Sequence, residues 1–180
     1  MSGSRSSAPA PTWAEVTQVY VAAGSNVDPQ TNLERAEAEL ARIFGPLQES
    51  PWYRNAAVGF TGEDFINFVF GFTTTLSVHE TQARLRAVEE LCGRPRNAPK
   101  WAARAMDLDI LLYGDLVLNE PQLQVPRQDL LVRPYMLGPL ADIAPDLRHP
   151  TAGHSIARLW AGFNPAAHRM TSVRPAATVN

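Results

Sequence analysis

Asp107 and Asp109 stand two residues apart at the head of an apolar run, Asp-Leu-Asp-Ile-Leu-Leu-Tyr. A strand sends alternate side chains to one face, so the spacing predicts both carboxylates on the same side, with Cα atoms roughly 6.5–7 Å apart. Leu108, Ile110 and Leu112 should face the other side. Charge on an otherwise buried strand is unfavourable unless neutralised. A divalent cation bridging the pair to phosphate oxygens would do this, since Mg²⁺ is commonly held by one or two carboxylates plus phosphates. Just upstream, Arg94, Arg96, Lys100 and Arg104 crowd a loop that contains no acid. Taken alone, Asp-x-Asp is more often a solvated strand end, and a basic loop a general anion patch. Adjacent and in this order, they point to transfer of a phosphoryl-type group from a nucleotide.

The elements around this stretch must position it. Val16 to Ala23 reads as a strand, followed by a turn at Gly24-Ser25-Asn26. Asp28-Pro29 opens a helix with a capping residue and then proline. Leu33, Ala36, Leu40, Ile43 and Phe44 line one face of it, and Gly45-Pro46 ends it. Leu47 to Arg54 reads as a second strand and residues 55–63 as a loop. Asp64 to Thr75 reads as a third strand, with Ile66, Phe68, Phe70 and Phe72 on the face that packs against helices. Its other face carries Phe65 and Asn67. Asparagine is disfavoured in strands, and its amide offers donors and an acceptor to a flat heterocycle edge. Capping of a neighbouring loop explains it equally well.

Ser77-Val-His-Glu80 is a capping box. It starts a helix striped by Leu85, Val88, Leu91 and Cys92 and stopped by Gly93. Glu89 lies at the edge of that stripe, where a glutamate is usually solvated. Tyr113-Gly-Asp115 turns into Leu116 to Leu118 as a hairpin. A helix runs from Arg133-Pro134-Tyr135 to about Ala144, and a short amphipathic segment covers 154–163. The order predicts an α+β sandwich with a mostly antiparallel sheet and helices on one face. Asn67, Asp107 and Asp109 would share the free face.

Trp101-Ala-Ala-Arg104-x-Met-Asp107-Leu-Asp109-Ile-Leu-Leu resembles the signature of the 6-hydroxymethyl-7,8-dihydropterin pyrophosphokinases of folate synthesis. Gly24-Ser25-Asn26, Phe65-Ile-Asn67 and Arg133-Pro-Tyr135-Met-Leu extend the resemblance from about Val19 to about Pro150. It implies a ferredoxin-like fold and transfer of the diphosphate of ATP to the pterin hydroxymethyl group, with release of AMP. It further implies two Mg²⁺ ions on Asp107 and Asp109, and phosphate contacts from Arg94 and Arg104. Glu89, Trp101, Ile110, Arg127 and Arg133 would lie in the ATP site. Asn55, Phe65, Asn67 and Tyr135 would hold the pterin. The chain departs from the family pattern in three places. Arg127 stands where most members have histidine, Ala102-Ala103 where they usually have Gly-Pro, and Asn97 where some have lysine. Arginine keeps a positive donor that can bind phosphate bidentately, but it cannot titrate at working pH.

Composition bounds the rest. The chain has 180 residues, 45% hydrophobic and 19% charged, which suits one globular domain. Residues 1–14 read as a disordered leader, 15–166 as the domain, and 167–180 as a flexible tail. A net charge of −2 recruits neither nucleic acid nor anionic membrane in bulk. One cysteine, Cys92, excludes an intrachain disulfide. No stretch is apolar enough to span a bilayer or to serve as a signal peptide, so the expectation is a cytoplasmic monomer. Two other readings compete. One is a diverged paralogue that acts on another pterin, or binds without turnover. The other is an RNA-binding sheet, disfavoured by acids in the middle of the proposed binding face.

Overall fold

The structure, a computed structural model, describes residues 14–56, 62–93, 105–164 and 169–174. In chain order the elements are β1 (Thr17–Ser25), α1 (Pro29–Phe44), β2 (Gln48–Glu49), β3 (Trp52–Asn55), β4 (Phe65–Thr74), α2 (Val78–Leu91), β5 (Asp107–Tyr113), β6 (Leu118–Glu120), β7 (Leu123–Val125), α3 (Pro134–Ile143), α4 (Ile156–Ala161) and β8 (Thr171–Arg174), with a 3₁₀ turn at Gln128–Leu131. The main sheet runs β5-β1-β4-β3-β8, with β2 also on β4, and every pairing is antiparallel. Two β-α-β units interleaved in the order β5-β1-β4-β3 make the ferredoxin-like arrangement.

Alternation along β1 and β4 feeds two cores rather than one. Val19, Val21, Ala23, Ile66, Phe68, Phe70 and Phe72 pack under α1 and α2 with Leu33, Leu40, Leu85 and Val88. Phe44 stacks on Phe72 and Trp52 on Phe68, with ring centroids 4.0 and 5.0 Å apart. On the opposite face Tyr20, Ala22 and Val69 pack under α3 and α4 with Met136, Leu137, Leu140 and Ile156. Helices therefore cover both faces, not one. The apolar face of α3, read correctly as a helix, needs a sheet to bury it, and the first face is already taken.

Other departures have local causes. The expected second strand is split into β2 and β3 because Pro51 has no N–H to donate. Ser50 bridges the gap: its hydroxyl accepts from the Val69 N–H at 3.0 Å. Asp28 occupies the start of α1 at φ 41, and its side chain makes no capping bond to the helix backbone. It accepts from the Thr31 hydroxyl instead. The Ser77–Glu80 capping box is present, and Gly93 ends its helix at φ 89. Leu91, placed on the stripe, is 49% exposed, and Val78 and Thr81 are buried in addition. The hairpin after β5 pairs β6 with β7, not with β5. β1 begins one residue later than expected and runs on through Gly24 and Ser25. Within the expected flexible tail, Thr171–Arg174 form β8 against β3, and Arg174 grips Glu37 through both terminal nitrogens at 2.8 and 3.1 Å.

β5 carries a bulge. Asp107, Leu108, Asp109 and Ile110 pair in step with Gly24, Ala23, Ala22 and Val21, but Tyr20 then pairs with Leu112, leaving Leu111 as the extra residue. The extra residue reverses the alternation. Leu108 and Ile110 enter the first core as expected, whereas Leu112 joins Leu111 in the second.

Candidate functional site

Two rows of paired residues cross the sheet at one end. Asp107 pairs with Gly24, Gly24 with Asn67 and Asn67 with Tyr53. Next to it, Asp109 pairs with Ala22 and Ala22 with Val69. Directly paired residues of an antiparallel sheet project to one face, so Asp107, Asp109 and Asn67 share a side. Between them the floor is almost bare, formed by glycine and alanine. A Cβ on Gly24 would clash with the Asn67 side-chain oxygen. The asparagine amide thus lies over a strand position where a larger residue would have to push it aside. Asp107, Asp109, Phe65 and Tyr53 are half-exposed, while Val69 and Leu111 further along are fully buried beneath α3. The rows therefore open at the end that α3 does not cover.

Asn67 is held from the side: its amide nitrogen donates to the side-chain oxygen of Asn55, which lies beside it on β3 opposite Phe65. The Tyr53 hydroxyl donates to Asp142 of α3 at 2.6 Å and ties β3 to the second helical layer. Burial, and then the bond to that carboxylate, pushes the Tyr53 phenol up.

On the other flank, a cleft of about 260 Å³ runs along β5, α2 and the β6–β7 hairpin, and Glu89, Asp107, Asp109, Ile110 and Arg127 all line it. Glu89 is not solvated. It is 8% exposed, and its carboxylate accepts the Leu108 N–H at 2.7 Å, which secures the start of β5 between the two aspartates. Arg127 follows β7, and its N–H donates to the carbonyl of the bulged Leu111 at 2.9 Å. Its guanidinium meets Asp109 at 3.0 Å and Asp129 at 3.3 Å. Arg133 lies 4.0 Å from the other oxygen of Asp129. Tyr135, in the first turn of α3, is half-buried. Burial raises its phenol, and the charges of Arg133, Asp129, Asp109 and Arg127 all reach it, which places it beside this cluster.

The profile of the 7,8-dihydro-6-hydroxymethylpterin-pyrophosphokinase family matches residues 20–145. The chain belongs to that family. A relative from Synechocystis, named 2-amino-4-hydroxy-6-hydroxymethyldihydropteridine pyrophosphokinase, is 40% identical over 142 residues, covering 77% of this chain and 72% of its own. Relatives of the same name from Pseudomonas aeruginosa and Haemophilus influenzae are 36% and 31% identical, covering 77% and 87% of this chain and 88% and 98% of theirs. Among solved structures, a Plasmodium falciparum HPPK-DHPS chain crystallised with pterin and p-hydroxybenzoate superposes with a TM-score of 0.65 at 13% identity. The match covers 84% of this chain and 44% of that longer one, and at this identity it speaks for the fold.

Of the residues that the pyrophosphokinase resemblance nominates, the structure brings two groups to one sheet end. Glu89, Asp107, Asp109, Ile110 and Arg127 line the cleft, with Arg133 beside it through Asp129. Asn55, Phe65 and Asn67 gather across the bare floor, and Tyr135 lies beside the charges of Asp109, Arg127, Asp129 and Arg133. Arg94, Arg96, Lys100, Trp101 and Arg104 lie outside the described residues. The donor set fits a hard divalent cation. Two half-exposed carboxylates share one face, and among the described residues no cluster of three or more acidic, histidine or cysteine ligands forms, so remaining ligands would come from phosphate and water. Sequence reasoning missed Gly24 and Ala22 as floor, Asp129 as a second anchor for Arg127, and the Tyr53–Asp142 tie. The aspartate at 129, two residues after the arginine, was the one visible signal.

Proposed function

We propose that the protein transfers the diphosphate of ATP to the hydroxymethyl oxygen of 6-hydroxymethyl-7,8-dihydropterin in a step of folate biosynthesis; the relatives' shared name, a pyrophosphokinase of a hydroxymethyldihydropteridine, supports this reading. The observation that supports the reading is that the adjacent rows Asp107–Gly24–Asn67 and Asp109–Ala22–Val69 put two carboxylates and the Asn67 amide on one face. The substrate oxygen bonds to the β-phosphorus, the bond from that phosphorus to the α,β-bridging oxygen breaks, AMP departs, and the hydroxyl proton passes to solvent. Such a transfer rests on positioning and charge neutralisation rather than on a covalent intermediate.

In this reading Asp107 and Asp109 would hold two Mg²⁺ ions, which would supply charge neutralisation during the transfer. Arg94 and Arg104 bind the phosphates, aided by Arg127 and Arg133. Glu89 fixes the strand that carries the aspartates, and Ile110 and Trp101 pack against the nucleotide. Asn67, braced by Asn55, reads the pterin edge, and Phe65 and Tyr135 cover its faces. No side chain is required as a strong base. In this reading the protein acts as a monomer in the cytoplasm; among the described residues no helix is long and apolar enough to cross a membrane.

The test is AMP release from ATP and Mg²⁺, with and without the pterin. The wild type should release AMP only when pterin is present. Asp107→Ala combined with Asp109→Ala should lower that rate roughly 10³-fold, the several kcal/mol that metal-held charge supplies. A folded, ATP-binding wild type that releases no AMP, or releases it without pterin, would overturn the proposal.

A further inference from the structure

Arg127 is anchored at both ends. Its backbone N–H is fixed to the Leu111 carbonyl, and its guanidinium spans Asp109 at 3.0 Å and Asp129 at 3.3 Å. The Asp109 side chain is only 22% exposed, so this pairing lies in a partly desolvated place. The span is also incomplete: the Arg127 Nε is buried and, among the described residues, has no hydrogen-bond partner. A guanidinium offers five donors in a rigid fork and stays charged at any working pH. Here it serves two carboxylates while one of its own donors is left over. Such a pose is competent but not saturated, and a phosphate, which accepts bidentately, is a better partner for the same fork.

We propose that Arg127 gates Asp109: it keeps free divalent cation off that carboxylate and yields it when the phosphates of a nucleotide draw the guanidinium away. The inference rests on the site reading above and deepens it. A cation arriving alone must displace a positive charge already seated on its ligand. A cation arriving with a triphosphate need not, because the phosphates accept the arginine as it leaves. Metal and nucleotide then bind with mutual enhancement, and the factor by which each helps the other is the same. A neutral side chain at this position would leave Asp109 without this counter-charge, and the enhancement would shrink. Asp129, 3.3 Å from the same guanidinium, stays within reach of the displaced side chain.

The experiment is Mn²⁺ binding to the full chain at pH 8, read from the electron paramagnetic resonance signal of free Mn²⁺, with and without α,β-methylene ATP. The proteins are the wild type, Arg127→Gln, Arg127→His and, as a control for loss of nearby charge, Arg133→Gln. Circular dichroism of each checks folding, and the histidine variant, neutral at this pH, serves if the glutamine variant does not fold. Loss of the guanidinium should tighten binding of Mn²⁺ alone about fivefold or more, the scale of a partly exposed ion pair. It should reduce the enhancement by the nucleotide analogue, while Arg133→Gln changes the bare affinity much less. Equal shifts in Arg127→Gln and Arg133→Gln, or bare affinity within about twofold of wild type, would overturn the gate with the site reading intact. Failure of Mn²⁺ and the analogue together to bind the wild type would instead overturn the site reading, and the gate with it.

Discussion

A single methyl group at position 24 should separate the two halves of the site. Alanine there would press on the Asn67 oxygen, which lies where its Cβ must go. The asparagine is already braced by Asn55 and has little room to yield. Overpacking of this kind costs about 1–3 kcal/mol. Gly24→Ala is therefore expected to raise the KM for pterin about tenfold or more, while leaving ATP affinity, measured by calorimetry, near wild type. An equal loss for both ligands would mean the strand end itself has shifted. At this scale the sequence spoke clearly where a residue broke its neighbours' pattern: two acids on an apolar strand, an asparagine among phenylalanines. It marked Gly24 only as part of a turn; the place of this residue beneath Asn67 arises from register with β4 and β5, strands about forty residues away or more. The local pattern read Glu89 as solvated, because its partner is a backbone N–H on β5 that helix periodicity does not reveal.

Among the elements, α2 was the most legible, because its start is encoded locally by the reciprocal bonds of Ser77 and Glu80. Ser77→Ala should cost about 1 kcal/mol, read as a lower urea midpoint with unchanged slope. A change in slope would instead signal a loss of two-state unfolding or a more compact denatured chain. The β5 strand was legible in its first half only. Alternation correctly assigned residues 107 to 110, and then the bulge at Leu111 reversed it, which no local pattern announces. The same bulge presents the carbonyl that holds Arg127, so the element that defeats the pattern is also the one that delivers the cation to Asp109. β8 was missed because its four residues, Thr-Ser-Val-Arg, carry little apolar signal. It is held by edge pairing and by Arg174, which lies over Trp52 at 4.3 Å and pairs with Glu37.

For the whole molecule, the order of β-α-β units was visible and the number of layers was not, since covering the second face depends on where α3 returns. The junction of β8 with the body gives acid-base behaviour of its own. Burial, then the charge of Glu37, pushes Glu49 up to about 7 from 4.5, against the pull of Arg174. A carboxyl raised in this way keeps a proton that the unfolded chain has released. Its contribution to stability is complete below about 4.5 and disappears as pH rises through about 7. Thermal midpoints taken between pH 5.5 and 7.5 should therefore fall less steeply with rising pH in Glu49→Gln than in wild type; parallel profiles would refute this. The comparison of variants matters because burial pushes the His149 imidazole down, and that group contributes the opposite slope, losing stability as pH falls. The row that crosses the floor of the site has one more consequence. Adjacent strands lie about 4.7–4.9 Å apart, so Asn67 and Asp107, separated by β1, stand roughly 9–10 Å apart. On the proposed reading the sheet is a ruler. It admits a substrate whose recognised edge and reacting hydroxyl are separated by a bicyclic ring and one carbon, and leaves the hydroxyl of a single-ring analogue short of the phosphate, however well its edge is read.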